Sequence, residues 1–496
     1  MNYPRLSHFA TVLGMLLAGG CTVGPDFARP GPPPVSAYTP VPIQRTADTP
    51  QVAEGAAQDL AAGQDIPQRW WALFGSPALD ALVERSLENN HDLKAAEAAL
   101  LSAHENVLAQ RGAYYPAITA TASASRSKSS ADLSPNTSSG ALLYSLFTPA
   151  LSVAYVPDVF GANRRQVELV SAEEQATRYQ REAIYTTLAS NVVVAAIQEA
   201  SLRAQLSATE SLIDFSERTL EVLRAQKSHG YATQLDVVAQ ESQLAQVRAT
   251  LPPLQKQLEI ERDLLATLSG NYAADGVAER FDLDQLHLPD KLPLSVPSQL
   301  IEHRPDVRQA EENLHAASAA VGVAVAARLP NITLTADAGK SAVTLGALSS
   351  AGTNFWDLGA ALAQPVFDGG VLLHKERAAR AALQQAREQY RSTALTAFQN
   401  VADALVAVQR DAEALQAAAA STSASKTTLD TVRTQRRAGY ANYLQELSAE
   451  QAYQNALLQQ IQLQASRLAD SVALLQALGG GWWNRSPGPG LGGGAG

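Results

Sequence analysis

The sequence predicts an α+β membrane protein made of one unit repeated, mostly long α-helices with four strands of membrane-crossing length. Three observations carry this: an internal duplication, two very long runs without Gly or Pro, and two pairs of alternating segments.

The duplication can be counted. Asp92-Leu93 and Asp306-Val307 stand 214 residues apart, as do Ala96-Glu97 and Ala310-Glu311, Pro116 and Pro330, and Ile118 and Ile332. Further on the offset becomes 209, for Gly230-Tyr231-Ala232 against Gly439-Tyr440-Ala441, Glu241 against Glu450, and Gly270 against Gly479. A drift this small is what loop insertions produce, and a repeat this long is a domain duplication rather than a solenoid.

Composition narrows the function. The chain has 496 residues, with 38 basic against 48 acidic side chains. That balance argues against a nucleic-acid partner, which needs clustered Lys and Arg. After the N-terminus no stretch of about 18 apolar residues occurs, so no transmembrane helix is expected in the mature chain. One Cys allows neither an intrachain disulfide nor a Cys-based zinc site. His91, His287, His303 and His315 lack metal-ligand spacing, and no nucleophile elbow, phosphate loop or dinucleotide fingerprint occurs. No enzyme activity, metal or cofactor is therefore expected.

Residues 1–20 have the parts of a secretory signal: a basic start at Arg5, an apolar stretch from Phe9 to Ala18, then small residues before Cys21. A Cys in that place resembles a bacterial lipoprotein cleavage site. The expected covalent lipid is S-diacylglycerol and N-palmitoyl on Cys21. The usual Leu three residues before the Cys is here Ala18, which leaves open an ordinary signal with an incidental Cys. Residues 21–65, Pro-rich and then Ala/Gln-rich, read as an extended arm that reaches the membrane without constraining the body.

The body divides into a first repeat at 66–270, a linking segment at 271–303, a second repeat at 304–479, and a Gly-rich tail at 480–496 expected to be disordered. In each repeat a short helix comes first and a strand pair follows. Ile332 and Leu334 alternate with Thr333 and Thr335, and Trp356, Leu358, Ala360 and Leu362 alternate with Phe355, Asp357, Gly359 and Ala361. In the first copy Ile118, Ala120, Ala122 and Ala124 alternate with Thr119, Thr121, Ser123 and Ser125, and Leu151, Val153 and Tyr155 mark the return. Strands of about ten residues with one apolar and one wet face have the length to cross a bilayer in a tilted barrel. The expected lipid-facing residues are Ile332, Leu334, Trp356, Leu358 and Leu362. The alternative is a small soluble sheet, but no other strand-rich region supplies a second layer. Four strands cannot close, so the chain must oligomerise; a dimer gives eight strands and a trimer twelve.

The helices follow. Ala162 to His229 and Val371 to Ala438 each pass without a Gly or Pro, long enough at about 1.5 Å per residue for rods of roughly 100 Å. Their apolar residues fall at three-four spacing, as in rods packed on rods. Each run ends at a Gly-Tyr turn, and a return helix begins near Thr233 or Tyr443. The first return helix is expected to break at Pro252-Pro253.

Several stretches resemble a known family. They are Cys21-Thr22-Val23-Gly24-Pro25-Asp26-Phe27, Trp70-Trp71 with Phe74 and Pro77-Ala78-Leu79, Leu82-Val83 through Asn90 and Asp92-Leu93, His303-Arg304-Pro305-Asp306-Val307-Arg308-Gln309-Ala310-Glu311, and Gln364-Pro365-Val366-Phe367-Asp368-Gly369-Gly370. Together they resemble the TolC-like outer-membrane efflux proteins, in particular the NodT-type lipoproteins that serve resistance-nodulation-division (RND) pumps. The resemblance implies a homotrimer in the outer membrane, with a twelve-stranded β-barrel above a periplasmic α-barrel. It implies a passive exit duct for drugs or other small amphiphilic compounds, with an inner-membrane RND transporter and a periplasmic adaptor as partners. Carried over, Gly230, Tyr231, Ala232, Asp236, Gly439, Tyr440 and Ala441 form the adaptor-docking and gating tips. Family members often have Leu-Asp-x-Leu after each turn. Here the first copy has Leu235-Asp236-Val237-Val238 and the second Leu444-Gln445-Glu446-Leu447, so gating asymmetry is expected at Asp236 and at Pro252-Pro253. Two other functions stay open at this point: the exit duct of a type I protein secretion system, and a non-conducting coiled-coil envelope lipoprotein. A pure spacer, however, has no use for the strands.

Overall fold

The computed structural model describes residues 22–31, 35–128 and 143–485; the signal segment, Cys21 and most of the Gly-rich tail lie outside them. In chain order the main elements are β1 (Asp59–Ala62), α1 (Pro77–Asn89), α2 (His91–Arg111), β2 (Ala117–Lys128), β3 (Leu143–Tyr155), α3 (Ala162–Ser228) and α4 (Gln234–Leu268). They continue with β4 (Lys291–Leu294), α5 (Pro297–His303), α6 (Pro305–Ala326), β5 (Asn331–Lys340), β6 (Asn354–Ala363), α7 (Val371–Arg437) and α8 (Tyr443–Ala477). The element order from α2 to α4 recurs from α6 to α8. None of these helices is long and apolar enough to cross a membrane.

Two compact units result. One combines the chain up to residue 30 with 100–177 and 310–390; it holds the antiparallel sheet β2-β3-β5-β6. The other combines 31–99, 178–309 and 391 onward, and holds the helical hairpins and a parallel β1-β4 pair. Its core includes Trp70, Trp71 and Phe74, all essentially without exposure, with the Trp70 and Trp71 rings edge to face at 5.9 Å. Those tryptophans are packing residues.

The duplication survives at the level of single bonds. Asn90 Nδ2 donates to Leu268 O at 3.1 Å, and Arg304 Nη1 donates to Ala477 O at 2.9 Å. Donors and acceptors are the same pair under the 214 and 209 offsets. Each repeat thus ties the start of its short helix to the end of its return helix. At the same junctions Gly270 and Gly479 have left-handed φ of 80° and 107°. A Cβ on either would lie 2.7 Å from Asn89 O or 2.4 Å from His303 O, so no side chain fits.

Three expectations need correction. The return helix α4 does not break: it runs through Pro252 and Pro253. Both prolines, with Arg248 and Ala249, are exposed residues, where hydration can replace the N–H partners lost to proline. The arm is extended but not free. Arg467, 1% exposed, donates through Nη1 to Glu54 O and through Nη2 to Ala56 O, and Tyr38 O–H donates to Ser295 O. Ordered structure also continues into the span expected as tail, where Trp482 Nε1 donates to His303 O and the Trp483 ring stacks on His303 at 3.7 Å.

Candidate functional site: a two-faced sheet and two capped tips

The sheet order β2-β3-β5-β6 and its register show how alternation becomes a surface. Ile118 lies opposite Val153, which lies opposite Ala336, which lies opposite Leu358. Directly opposed residues share a face. One face therefore collects Ile118, Leu151, Val153, Ile332, Leu334, Trp356, Leu358 and Leu362, the five residues expected to meet lipid among them. The other face carries Thr119, Ser152, Asp337 and Asp357, with Ser152 Oγ donating to Asp337. Nothing among the described residues covers the apolar side: Trp356 is 76% exposed and Leu358 73%. Strands β2 and β6 are the sheet's edges, each with one unpaired side among the described residues. An apolar face and two open edges together are unstable in water and need another chain and an apolar medium.

The hairpin tips are built alike. Tyr231 N–H reaches Gln226 O at 2.8 Å and Gly230 N–H reaches Lys227 O at 2.9 Å; Tyr440 to Gln435 and Gly439 to Arg436 repeat this pair. Gly230 and Gly439 have φ of 80° and 82°, as this helix stop requires. Tyr231 and Tyr440 project, 84% and 86% exposed, while Ala232 packs against the core cluster of Leu220, Leu223, Val237, Leu244 and Tyr443. Ala441 is half-buried.

Asp236 has a local use. Its carboxylate accepts Thr233 N–H at 2.8 Å, while Thr233 Oγ1 accepts Asp236 N–H at 3.2 Å, a reciprocal cap on α4. At the equivalent place Gln445 Oε1 accepts Asn442 N–H at 2.9 Å and Asn442 Oδ1 accepts Gln445 N–H at 2.9 Å. The departure from the family pattern at Gln445 thus keeps the cap and drops only the charge. Asymmetry expected at Asp236 is, in cap geometry, absent.

It appears one residue later. Val237, 4% exposed in the first hairpin, corresponds to Glu446, 5% exposed in the second. Glu446 sits against Arg433 and Arg436, and the Arg433 guanidinium lies 4.2 Å from the Phe215 ring. Arg224–Glu241, an exposed pair at 2.7 Å, corresponds to Arg433–Glu450 at 3.7 Å, where Glu450 is buried. Burial pushes the Glu450 carboxyl up to about 7, Arg433 opposing and Glu446 adding to the rise. Burial also raises the Tyr443 phenol, whose O–H donates to Gln240 Oε1. Sequence reading passed over this cluster. The signal was Arg433 and Arg436 before the turn matching Glu446 and Glu450 after it, a ladder across an antiparallel hairpin.

The family model for outer membrane efflux proteins matches residues 82–271 and 296–480. The pyoverdine export outer membrane protein OpmQ of Pseudomonas putida is 32% identical over 428 residues, which covers 86% of this chain and 90% of that one. The toluene efflux pump outer membrane protein TtgC of Pseudomonas putida is 30% identical over 478 residues, 95% of this chain and 94% of that one. Among solved structures, the outer-membrane channel OprN has a TM-score of 0.82 at 26% identity, covering 93% of this chain and all of its own. The open Neisseria gonorrhoeae MtrE channel has a TM-score of 0.79 at 25% identity, covering 93% of this chain and 99% of that one. Matched over both repeats and sharing the α+β channel fold, the chain belongs to the outer membrane efflux protein family, whose members are non-enzymatic channels of the outer membrane.

Proposed function

We propose that three copies of this chain join their four-stranded sheets into one twelve-stranded barrel and form the exit duct of a tripartite RND-type efflux system. The reading rests on one observation above all: a sheet with one continuous apolar face, one polar face and two open edges. Closure removes the edges, puts Ile332, Leu334, Trp356, Leu358 and Leu362 against lipid, and lines the bore with Thr, Ser and Asp. The duct is passive, as the family reading implies. An inner-membrane RND transporter supplies the energy, and a periplasmic adaptor docks at the tips, where Tyr231 and Tyr440 project. The cargo is drugs or other small amphiphilic compounds; relatives are named for antibiotic, toluene and pyoverdine export. Cys21 carries the lipid anchor.

Deleting the gene sensitises cells to such compounds, and plasmid copies restore resistance only with the pump and adaptor present. Purified protein in detergent has three times the chain mass; a monomer that stays soluble without detergent overturns the barrel. Labelling with radioactive palmitate marks the parent and not Cys21→Ser, and equal label in both removes Cys21 as the acylated residue.

A further inference from the structure

Among the described residues, the turn after the last strand of each repeat is covered in the first repeat and bare in the second. Between β3 and α3, Val23 N–H donates to Phe160 O at 3.3 Å, and Thr22 packs on Gly161 so closely that a Cβ there would lie 2.9 Å from it. The same N-terminal segment continues along α6, where Gly24 meets Gly322 and the Phe27 ring stacks on His315 at 4.3 Å. The chain has one such segment. Between β6 and α7, Asp368 fixes the corresponding turn, accepting Gly370 N–H at 2.9 Å and Leu372 N–H at 2.7 Å. Gly369 and Gly370 are left-handed, with φ of 65° and 88°. This rigid turn holds Val366 and Phe367 out in water, 95% and 92% exposed.

What lies beside it follows from the duplication. Ile118 pairs with Val153 and Ile332 with Leu362, so β2 maps on β5 with the 214 offset and β3 on β6 with the 209 offset. Within the chain β3 pairs with β5, Leu151 opposite Ala338 and Val153 opposite Ala336. Transferred by those offsets, β6 of one copy pairs with β2 of the next, Ala360 opposite Ala124 and Leu362 opposite Ala122. This register keeps the apolar face continuous, and a slip of one residue would break it. It brings the turn at 364–370 beside the residues that precede β2 in the next copy, where Tyr115 is 74% exposed. It also brings the turn toward that copy's α2. There Leu101 and Leu108, 53% and 43% exposed, occupy the places that His315 and Gly322 hold on α6. Among the described residues, Leu101 and Leu108 are thus bare on α2 where the N-terminal segment covers α6.

We infer that Val366 and Phe367 stand in for a second arm: they seat on Leu108 and Tyr115 of the next copy of this chain and lock subunits at the junction of strands and helices. The inference rests on the barrel reading above and names its contact. Within one chain β2 and β6 are three strand spacings apart, about 14 Å, beyond disulfide reach. A disulfide between positions 367 and 115 can therefore form only between copies. Full-length protein with Phe367→Cys and Tyr115→Cys together, oxidised in detergent, gives covalent dimers and trimers on a denaturing gel; the parent, with its lone Cys21, and each single variant do not. Phe367→Ser trimers dissociate at a lower temperature than the parent, and Phe367→Leu trimers hold. Intact trimers with no cross-link, and Phe367→Ser dissociating with the parent, overturn the seat and leave the trimer standing. A monomeric parent overturns the trimer itself.

Discussion

Reversing the polarity of one face at mid-strand tests the sheet most directly. Leu358 is the fifth residue of the ten in β6 and lies opposite Ala336 on the apolar face. At about 3.3 Å per residue and a tilt near 40°, a ten-residue strand rises about 25 Å, and its fifth residue sits roughly 10 Å in. That is close to the middle of an apolar band of about 25 Å. An Arg at such depth on the lipid face costs about 2–4 kcal/mol per chain, or some 30- to 1000-fold in the insertion equilibrium, and a trimer carries the change three times. Thr335 lies one pair away, opposite Gly359 on the polar face, at nearly the same depth. Thr335→Arg places the same charge in the wet bore. The assay is the amount of trimer in washed outer-membrane fractions, with compound susceptibility of complemented deletion cells beside it. Leu358→Arg strips the membrane of trimer and leaves cells sensitive, while Thr335→Arg inserts near the parent level. Equal depletion by both, or by neither, would refute the assignment of faces.

Three further outcomes follow from named contacts. At the first tip, Asp236→Gln keeps the reciprocal cap in the form the second tip already uses, whereas Asp236→Ala loses the N3 half of it, worth about 0.3–1.5 kcal/mol of helix stability. Hydrogen exchange of amides 233–237 reads the difference, and Gln behaving like Ala refutes the equivalence of the caps. Near the second tip, Glu450 has its carboxyl raised to about 7 by burial, against 4.5 in the open chain. Its proton thus favours the packed hairpin: the contribution is complete below about pH 4.5 and fades as pH rises through 7. Protection of amides 443–450, corrected for intrinsic exchange, falls over that window in the parent and stays level in Glu450→Gln; parallel slopes refute it. Arg467→Met deletes charged donors to Glu54 O and Ala56 O, each worth about 1.5–3 kcal/mol. Limited proteolysis then cuts the arm at 46–58 at least about tenfold faster, and an unchanged rate shows that the arm is held elsewhere.

What was legible in the sequence is what has a period. Strand alternation survives because side chains strictly change faces, so Ile332, Leu334, Trp356, Leu358 and Leu362 could be placed on one face before any register was known. The Gly-Tyr turns were legible because helix stops need a left-handed residue. The arm was not: its composition is that of a spacer, and among the groups that hold it are Arg467 and Ser471, more than 400 residues downstream in α8. Pro252-Pro253 misled because a proline's lost N–H and its ring clash with the carbonyl four residues before need not end a long helix, and these residues are exposed, where hydration can offset part of the loss. Trp482 and Trp483 had no periodic signal, and His303, their partner, lies across the second repeat.

The two copies keep and change different things, and the pattern locates specialisation. Bonds that close each repeat are retained donor for donor, Asn90 to Leu268 and Arg304 to Ala477, although the donor residue itself has changed. Caps at the tips are retained with Asp236 exchanged for Gln445. These substitutions preserve geometry. Val237 against Glu446 does not: an apolar residue packed in one hairpin becomes a buried charge in the other, held by two arginines and beside a second carboxyl. Removing Arg433 takes away the partner of the buried Glu450 carboxyl and leaves Glu446 with Arg436 alone, whereas the equivalent pair at the first tip, Arg224–Glu241, is exposed. The two tips share one cluster, in which Tyr443 packs with Leu220, Leu223, Val237 and Leu244 while Arg433 lies over Phe215, so the ion pairs of the second hairpin bear on both.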